Sequence, residues 1–186
     1  MQALDALLNR VSVARLTAPA PTAEQRELLL RAALRAPDHA QLRPWRFIEI
    51  EGEGLVALGE LFARAVLARQ PDAEPAALDK ARSMPLRAPL MLCVVARLQD
   101  HPKVPREEQL QSAACAAHGI LLAAHAQGIG AIWRTGEMAG DPLVREGLGL
   151  GPEEQLVGFL YLGTPMGALR RPQPLDPASF LSRWPG

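Results

Sequence analysis

The sequence predicts one sheet flanked by helices, of either the α+β or the α/β class. Three short apolar runs have the composition of strands, and they cover residues 47–50, 90–96 and 156–162. The middle run is apolar throughout, which is typical of a strand buried on both faces. Between the runs, apolar residues recur every three or four positions, as they do on one face of a helix.

The order of the predicted elements follows from this spacing and from residues that cap helices. Thr22 and Gln25 form the pattern of a capping box, and Asp141 is placed to cap a later helix. Helices are predicted for residues 4–9, 24–34, 55–66, 76–83, 107–127 and 142–147, and a further short strand for residues 130–134. The helix over 107–127 is small and apolar on nearly every side, which predicts burial in a core or against a partner chain.

The composition is that of an ordinary globular chain. With 186 residues, 48% of them hydrophobic and 22% charged, residues 1–186 are predicted to form one domain. The 20 basic residues balance the 20 acidic ones, so no net field favours nucleic acid or a membrane surface. The first residues are too acidic for a signal peptide, and no apolar run has the length of a membrane span. We therefore expect a cytoplasmic protein without nucleic-acid or membrane partners.

Large apolar side chains return at the end of a polar, proline-rich tail. Phe180, Leu181 and Trp184 lie in this tail, which covers about residues 166–186. Such side chains are unfavourable in water, so we expect the tail to pack on another surface, and on a second copy of the chain in particular.

The stretch from Arg35 to Trp45 concentrates charged and proline residues between a predicted helix and a predicted strand. A loop of this kind holds polar groups at fixed positions beside an apolar scaffold, which is typical of binding residues. A simpler interpretation is a helix end, where Arg35 and His39 offset the helix dipole and Pro37 stops the helix. The loop alone leaves both interpretations open.

Other recognisable patterns favour structural roles. Gly128-Ile-Gly130 does not follow a strand and open a helix, so it fits a cap or turn better than a dinucleotide fingerprint. Cys115, His118 and His125 share one helix without converging carboxylates, which favours packed polar residues over a metal site. Cys93 and Cys115 both lie in apolar runs and are predicted to be buried.

Two further segments complete a candidate binding site. Arg10-Val11-Ser12 places a guanidinium and a hydroxyl two residues apart, and both can hold a phosphate with the help of backbone N–H groups. Together with the loop that carries Arg35 and His39, and with Ala131-Ile132-Trp133-Arg134, this segment could surround a flat, phosphorylated ligand.

Five segments carry a resemblance to a known family. They are LLNRVSVARL, LRAPDHAQLRPWRFIEIEGEG, KVPREEQLQSAACA, AAHAQGIGAIWRTG and VGFLYLGTP, and they run in this order from about residue 4 to residue 165. On these segments the chain resembles the FMN-dependent nitroreductase superfamily, and most closely its short YdjA-like branch of NAD(P)H nitroreductases. The combination of RAPDH, the following PW and the later GIGAIWRTG is specific.

The resemblance implies an α+β fold with a central, mostly antiparallel sheet flanked by helices. It also implies a homodimer with one FMN in each of two clefts at the interface. Arg10, Val11 and Ser12 would hold the phosphate and ribityl end of the flavin, and Arg35 and His39 would reach the same flavin from the other subunit.

The same resemblance assigns expected roles to two later segments. Ala131, Ile132 and Trp133 would line the flavin ring from the first subunit. The helix end that would lie near the nicotinamide cofactor consists of Leu121, Leu122, Ala123, Ala124, His125 and Ala126.

Three positions depart from the family pattern. Val11 stands where the family has a second basic residue, and Ala14 stands where many members have a lysine near the flavin. Arg43 stands where the family has a glutamine before its Pro-Trp pair. Arg35 and Arg134 are therefore the candidate cations for a reduced, anionic flavin.

The activity implied by the resemblance is the oxidation of NAD(P)H with reduction of a nitro compound, a quinone or a related small acceptor. FMN carries this chemistry and the protein positions it. Two alternatives stay open: a flavin-binding regulatory protein without turnover, and a different flavin reaction on the same fold, since a fold does not determine a chemistry. The resemblance implies no metal, and the sequence identifies no catalytic side chain.

Overall fold

The computed structural model of the chain describes residues 2–184 and 186. Its helices and strands are, in chain order, α1 Ala3–Asn9, β1 Leu16–Thr17, α2 Ala23–Ala33, β2 Trp45–Glu51, α3 Glu53–Arg69, α4 Pro75–Ser83, β3 Leu90–Arg97, α5 Arg106–Ala126, β4 Gly130–Arg134, α6 Gly136–Gly140, α7 Pro142–Gly147 and β5 Glu154–Pro165. Single 3-10 turns lie at His39–Gln41, Pro85–Arg87 and Pro177–Phe180. Every predicted helix and strand is found, and only β1 and α6 were not expected.

The strands form one sheet in which every pairing among the described residues is antiparallel. β2 forms one edge and pairs with β3, and β3 pairs with β5. Both β4 and β1 lie along the far side of β5, opposite Phe159–Gly163 and Thr164–Pro165 respectively. The antiparallel pairing decides between the two classes that the sequence alone left open, and the fold is α+β.

Helices cover both faces of the sheet, as the continuous apolar run in β3 predicted. Met91, Cys93 and Val95 point to one face, where they pack with residues of α3, α4 and α7. Leu92 and Val94 point to the other face, against α2 and α5. None of these five side chains is more than 2% exposed, so β3 lies at the centre of both cores.

The small residues of α5 let it approach the sheet and α2 closely. Ala113, Ala117 and Ala124 are fully buried on its inner face. A Cβ added at Gly119 would lie 3.1 Å from the carbonyl oxygen of Ala32 in α2, so the two helices approach closely here and a larger residue would push the α2 backbone by a few tenths of an ångström. Among the described residues, no helix is long and apolar enough to cross a membrane.

The outer face of α5 is open along a stripe that contains Gln111, Cys115 and His118. The prediction of burial in a core is therefore correct for the inner face of this helix, and burial of its outer face against a partner chain stays a prediction. The prediction for Cys115 was wrong, because this thiol lies on the exposed stripe. Cys93 is buried as predicted, and burial raises its pKa to about 12.

The tail after β5 runs along the outside of the molecule. Phe180, Leu181 and Trp184 are 76%, 70% and 90% exposed. The three leucines of α1 are exposed as well. Apolar groups of this size on open surface are typical of an interface with another chain.

Candidate functional site

The segment that follows α1 is hydrogen-bonded to the outer edge of the sheet. The Val13 N–H donates to the carbonyl oxygen of Ala131 at 2.9 Å, and the Met166 N–H donates to the carbonyl oxygen of Arg15 at 3.0 Å. β1 continues this line by pairing with the end of β5. The segment Arg10–Ser12 therefore lies beside β4, so two of the three segments singled out in the sequence are neighbours.

The polar groups of this segment face no protein partner among the described residues. The Arg10 side chain is half-buried, yet its guanidinium forms no hydrogen bond or ion pair there. Ser12 is exposed, and Val11 between them is half-buried. Arg10 and Ser12 are thus free to bind an anion.

A cavity of about 180 Å³ lies between this segment and the start of the tail. Its lining consists of Val11–Arg15 on one side and Met166–Arg170 on the other. Sequence reasoning missed Arg15 and Arg170, both of which bring a cation to this cavity. The two sides of the cavity are brought together by the pairing of β1 with β5. β1 covers only Leu16–Thr17, which is too short to leave a periodic pattern in the sequence, so the sequence gives no sign that the two sides meet.

β4 pairs with β5 along one edge and presents its other edge outward. In an antiparallel ladder, the N–H and C=O groups of alternate residues point to opposite edges. The carbonyl of Ala131 points outward to Val13, so the backbone groups of Trp133 point outward as well, beside Arg10–Ser12. An open strand edge supplies an ordered row of donors and acceptors, which suits the polar edge of a flat ring.

The indole of Trp133 is held against the sheet. Its Nε1–H donates to the carbonyl oxygen of Val157 at 3.3 Å. Gly158 has no room for a Cβ because the indole ring occupies that space. The ring is therefore a fixed wall, and the backbone of Trp133 is the part that faces outward.

The Arg134 side chain projects from the face of the sheet opposite to that of Trp133. Its guanidinium carbon lies 6.0 Å from the centre of the Tyr161 ring, within the range of cation–π attraction. Burial raises the pKa of Tyr161, which keeps this hydroxyl neutral. The Arg134 Nε is buried and has no hydrogen-bond partner among the described residues. A buried donor without an acceptor is costly, and because this Nε is enclosed by protein, an anionic group would have to be bound by the rest of the half-buried Arg134 side chain.

The last turns of α5 contain both core and surface residues. Leu121 and Ala124 are buried against the sheet. The other candidates in this stretch are half-buried or exposed, and they are Leu122, Ala123, His125 and Ala126. The Nε2 atom of His125 is buried without a partner in the part of the chain that is described. Of the six candidates, these four are therefore accessible, whereas the other two are packed in the core.

The loop between α2 and β2 has an unusual backbone. Ala40, Gln41 and Arg43 have φ angles of 61°, 54° and 51°, in the left-handed region that non-glycine residues rarely occupy. The Asp38 carboxylate supports this conformation by accepting from the N–H of Leu42 at 3.1 Å and from the N–H of Arg43 at 2.8 Å. Backbone strain of this kind is concentrated at binding sites. The loop therefore favours the functional interpretation over a simple helix end.

His39 is fixed to the first turn of α5, where its Nδ1 lies 2.9 Å from a carboxylate oxygen of Glu108. Glu108 and Ala124 are about 24 Å apart along the helix, at about 1.5 Å per residue. The Ala124 end leads directly into β4, and Arg35 lies exposed at the end of α2. Within one chain, the His39 side chain and the Arg10–Ser12 segment therefore do not meet.

Known proteins are similar to this chain in sequence over nearly its full length. Residues 7–164 match the Nitroreductase family. The chain belongs to the nitroreductase family. The Escherichia coli (strain K12) protein named "Putative NAD(P)H nitroreductase YdjA" is 48% identical over 165 residues, which cover 89% of this chain and 89% of that protein. The prediction of an oxidoreductase of this family is confirmed.

Solved structures share the fold of this nitroreductase-family chain. A nitroreductase-like family protein from Bacillus cereus has a TM-score of 0.82 at 23% identity, over 100% of this chain and 97% of that one. A nitroreductase with bound FMN from Bacteroides fragilis NCTC 9343 has a TM-score of 0.75 at 22% identity, over 99% of both chains. The predicted nitroreductase-like fold is confirmed.

Replacement of Asp38 by alanine should loosen the strained loop. Two backbone N–H groups, those of Leu42 and Arg43, would lose their acceptor. The loss of such side-chain acceptors costs about 0.5–2 kcal/mol. Chemical denaturation should show the lower stability, and amide hydrogen exchange should become faster at these two residues.

Asp38→Asn is the conservative variant, because an amide oxygen can still accept one of the two hydrogen bonds. Asp72→Ala replaces an exposed carboxylate in another loop and should change stability by less than about 0.5 kcal/mol. Unchanged exchange rates at Leu42 and Arg43 in Asp38→Ala would show that the carboxylate does not hold the loop.

Proposed function

We propose that this chain is an FMN-dependent oxidoreductase that works as a homodimer. It takes hydride from NAD(P)H and reduces nitro compounds, quinones or a related small acceptor. The observation that carries the proposal is the meeting of Arg10–Ser12 with the open edge of β4 in a chain of the nitroreductase family. A structural neighbour contains bound FMN, and the relative YdjA is named for NAD(P)H.

The residues fit a flavin mononucleotide in shape and charge. Arg10 and Ser12 supply a cation and a hydroxyl for the phosphate, at the end of the cavity that Arg15 and Arg170 also line. These two further arginines offset the absence of a basic residue at Val11. The Ala131 carbonyl is already bonded to Val13, so the outward backbone groups of Trp133 face the polar edge of the ring, and Ala131 and Ile132 lie beside them on β4.

Two chains are needed to complete the site. His39 is held at one end of α5 and Arg10–Ser12 lies near the other, about 24 Å away along the helix. If α5 of one copy packs antiparallel to α5 of a second copy, each His39 loop is brought to the partner's Arg10–Ser12. The exposed stripe that contains Cys115 and His118 is suited to this contact, because it runs along the middle of the helix.

Each segment then has a distinct task. Arg10, Val11 and Ser12 hold the phosphate and ribityl end, and Arg35 and His39 of a second copy close the cleft from the other side. Arg134, whose Nε has no described partner, is the candidate to stabilise negative charge on the reduced ring. The exposed and half-buried residues Leu122, Ala123, His125 and Ala126 border the space for the nicotinamide cofactor.

FMN, when bound, supplies the hydride and electron transfer between NAD(P)H and the acceptor. The protein provides binding, orientation and charge, and hydride transfer from the nicotinamide to the flavin requires no general acid or base among its side chains. The residues that matter most are therefore those that fix the position of the ring. Trp133 contributes as a rigid wall, since its indole is pinned between Val157 and Gly158.

The tail has a place in the same proposal. We infer that residues 1–186 form one domain and that residues 166–186 pack on a second copy. The support is the exposure of Phe180, Leu181 and Trp184 and of the leucines of α1. A homodimer would remove this apolar surface from water, which is the dominant favourable term in association.

The purified protein should bind FMN, and NADH or NADPH should bleach the bound flavin under anaerobic conditions. A yellow protein that NAD(P)H leaves oxidised would point to a flavin-binding regulatory role without turnover. A protein that takes up no FMN in a titration would contradict the proposal altogether.

Arg10→Ala should weaken FMN binding more than His39→Ala does. A charge-assisted hydrogen bond contributes about 1.5–3 kcal/mol, which is roughly tenfold to a hundredfold in affinity. His39 already has a partner in Glu108, whereas Arg10 has none in the described chain. Quenching of flavin fluorescence gives the dissociation constants, and Arg64→Ala on the exposed face of α3 is the control. Equal constants for wild type and Arg10→Ala would place the phosphate elsewhere.

Complementation between two variants should test the shared cleft. One chain carries Arg10→Ala, and the other carries Arg35→Ala with His39→Ala. In the mixed dimer, one cleft receives all three changes and the other cleft receives none. The intact cleft should bind one FMN per dimer and give up to half of the wild-type NAD(P)H oxidation.

The mixed dimer is isolated by two different affinity tags, and both mutant homodimers serve as controls. Its FMN content is measured from visible absorbance before any activity assay. A mixed dimer that binds no more FMN than the homodimers would show that each cleft is built from one chain.

A further inference from the structure

A second groove, of about 330 Å³, lies beside the strained loop and outside the segments used above. Its lining comes from Leu42 and Arg43 in that loop, from Arg97–Gln99 at the end of β3, and from Gly151–Glu154 before β5. The groove has the size of a small-molecule site. Nothing in the proposed flavin contacts uses it.

The carboxylates of this groove are already neutralised. Glu154 accepts hydrogen bonds from Arg46, at 2.6 Å from Nε and 2.7 Å from Nη2. The hydrogen bonds from Arg46 lower the pKa of Glu154 to about 2. Glu153 forms an ion pair of 2.5 Å with Arg106. Neither carboxylate therefore requires a further cation from the groove.

Arg43 and Arg97 are the charges that remain. The Arg43 side chain is exposed and has no hydrogen bond or ion pair with the described residues, while Asp38 fixes its backbone. Arg97 is 63% exposed and forms only a long ion pair with Glu154, in which its Nε lies 3.8 Å from the carboxylate and beyond hydrogen-bond distance. Two guanidinium groups on one groove suit a phosphate, because arginine binds its oxygens with paired N–H groups.

The groove adjoins the point where His39 is anchored. Gln109, the residue after Glu108, donates from Nε2 to the carbonyl oxygen of Gln99 at 2.8 Å and accepts from the Gln99 N–H at 3.0 Å. One turn of α5 thus holds both the His39 loop and the wall of the groove. In the proposed dimer, this turn lies next to the flavin of the second copy, so the groove flanks that flavin.

We propose that this groove binds the 2′-phosphate of NADPH and makes the enzyme prefer NADPH to NADH. The inference rests on the proposed function, because the dinucleotide must lie in the shared cleft. An electron acceptor has to lie against the flavin ring, whereas a dinucleotide extends well beyond it. A cationic subsite to one side of the ring therefore fits the phosphate-bearing end of the dinucleotide. NADH lacks this phosphate and gains nothing from Arg43 and Arg97.

The test compares two nucleotides on the full-length protein saturated with FMN. Adenosine 2′,5′-bisphosphate and adenosine 5′-monophosphate are titrated by calorimetry. The bisphosphate should bind at least about tenfold more tightly to the wild-type protein, as expected for a charge-assisted contact. Arg43→Gln and Arg97→Gln should each reduce this ratio severalfold, and the double variant should bring it close to one.

Arg64→Gln is the matched control, since it removes an exposed arginine of α3 far along the chain from the groove. This control should keep the wild-type ratio. The FMN dissociation constant is measured on every preparation, which distinguishes loss of nucleotide binding at the groove from loss of the flavin itself. Tight FMN binding with equal affinity for both nucleotides would contradict the groove proposal and leave the proposed function unaffected. An unchanged ratio in the double variant also overturns it, and a protein that binds no FMN overturns both.

Discussion

The antiparallel ladder between β3 and β5 is the interaction on which the rest of the structure depends. It runs from the pair Leu90 and Leu162 to the pair Arg97 and Glu154. β3 supplies both cores, and β5 carries β4 and β1 on its other side. The place of Arg10–Ser12 relative to β4 is therefore set by β5. A slip of one residue in this ladder would exchange the two faces of the sheet and move every core side chain to the wrong layer.

Much of this arrangement is readable from the sequence, because its causes are local. The apolar run from Leu90 predicts a strand buried on both faces, and the structure has one. Thr22 caps α2 and Asp141 caps α7 as predicted, because a short side chain before a helix satisfies N–H groups only a few residues away. The three segments of the candidate site remain predictions from the sequence, and the structure brings two of them, Arg10–Ser12 and β4, side by side.

The features that the sequence does not show depend on contacts between distant segments. α5 is apolar nearly all round, so no periodic pattern marks the face on which Cys115 is exposed. Ala40 and Arg43 adopt the left-handed conformation although neither is a glycine, and the Asp38 contacts that support this loop are visible only in the structure. Arg97 and Glu154 meet in one groove only because β3 and β5 pair. The residue types are visible in the sequence, but their distances come from the fold.

The length of α5 has a consequence for how strongly a ligand is held. A site whose two halves lie at opposite ends of one helix, about 24 Å apart, exists only while two chains are associated. Ligand binding and association then stabilise each other by mass action. In the proposed homodimer, dilution of the protein would separate the chains and dismantle both sites at once, whereas saturation with ligand would hold the chains together. The apparent affinity for the ligand then depends on the protein concentration as much as on any side chain.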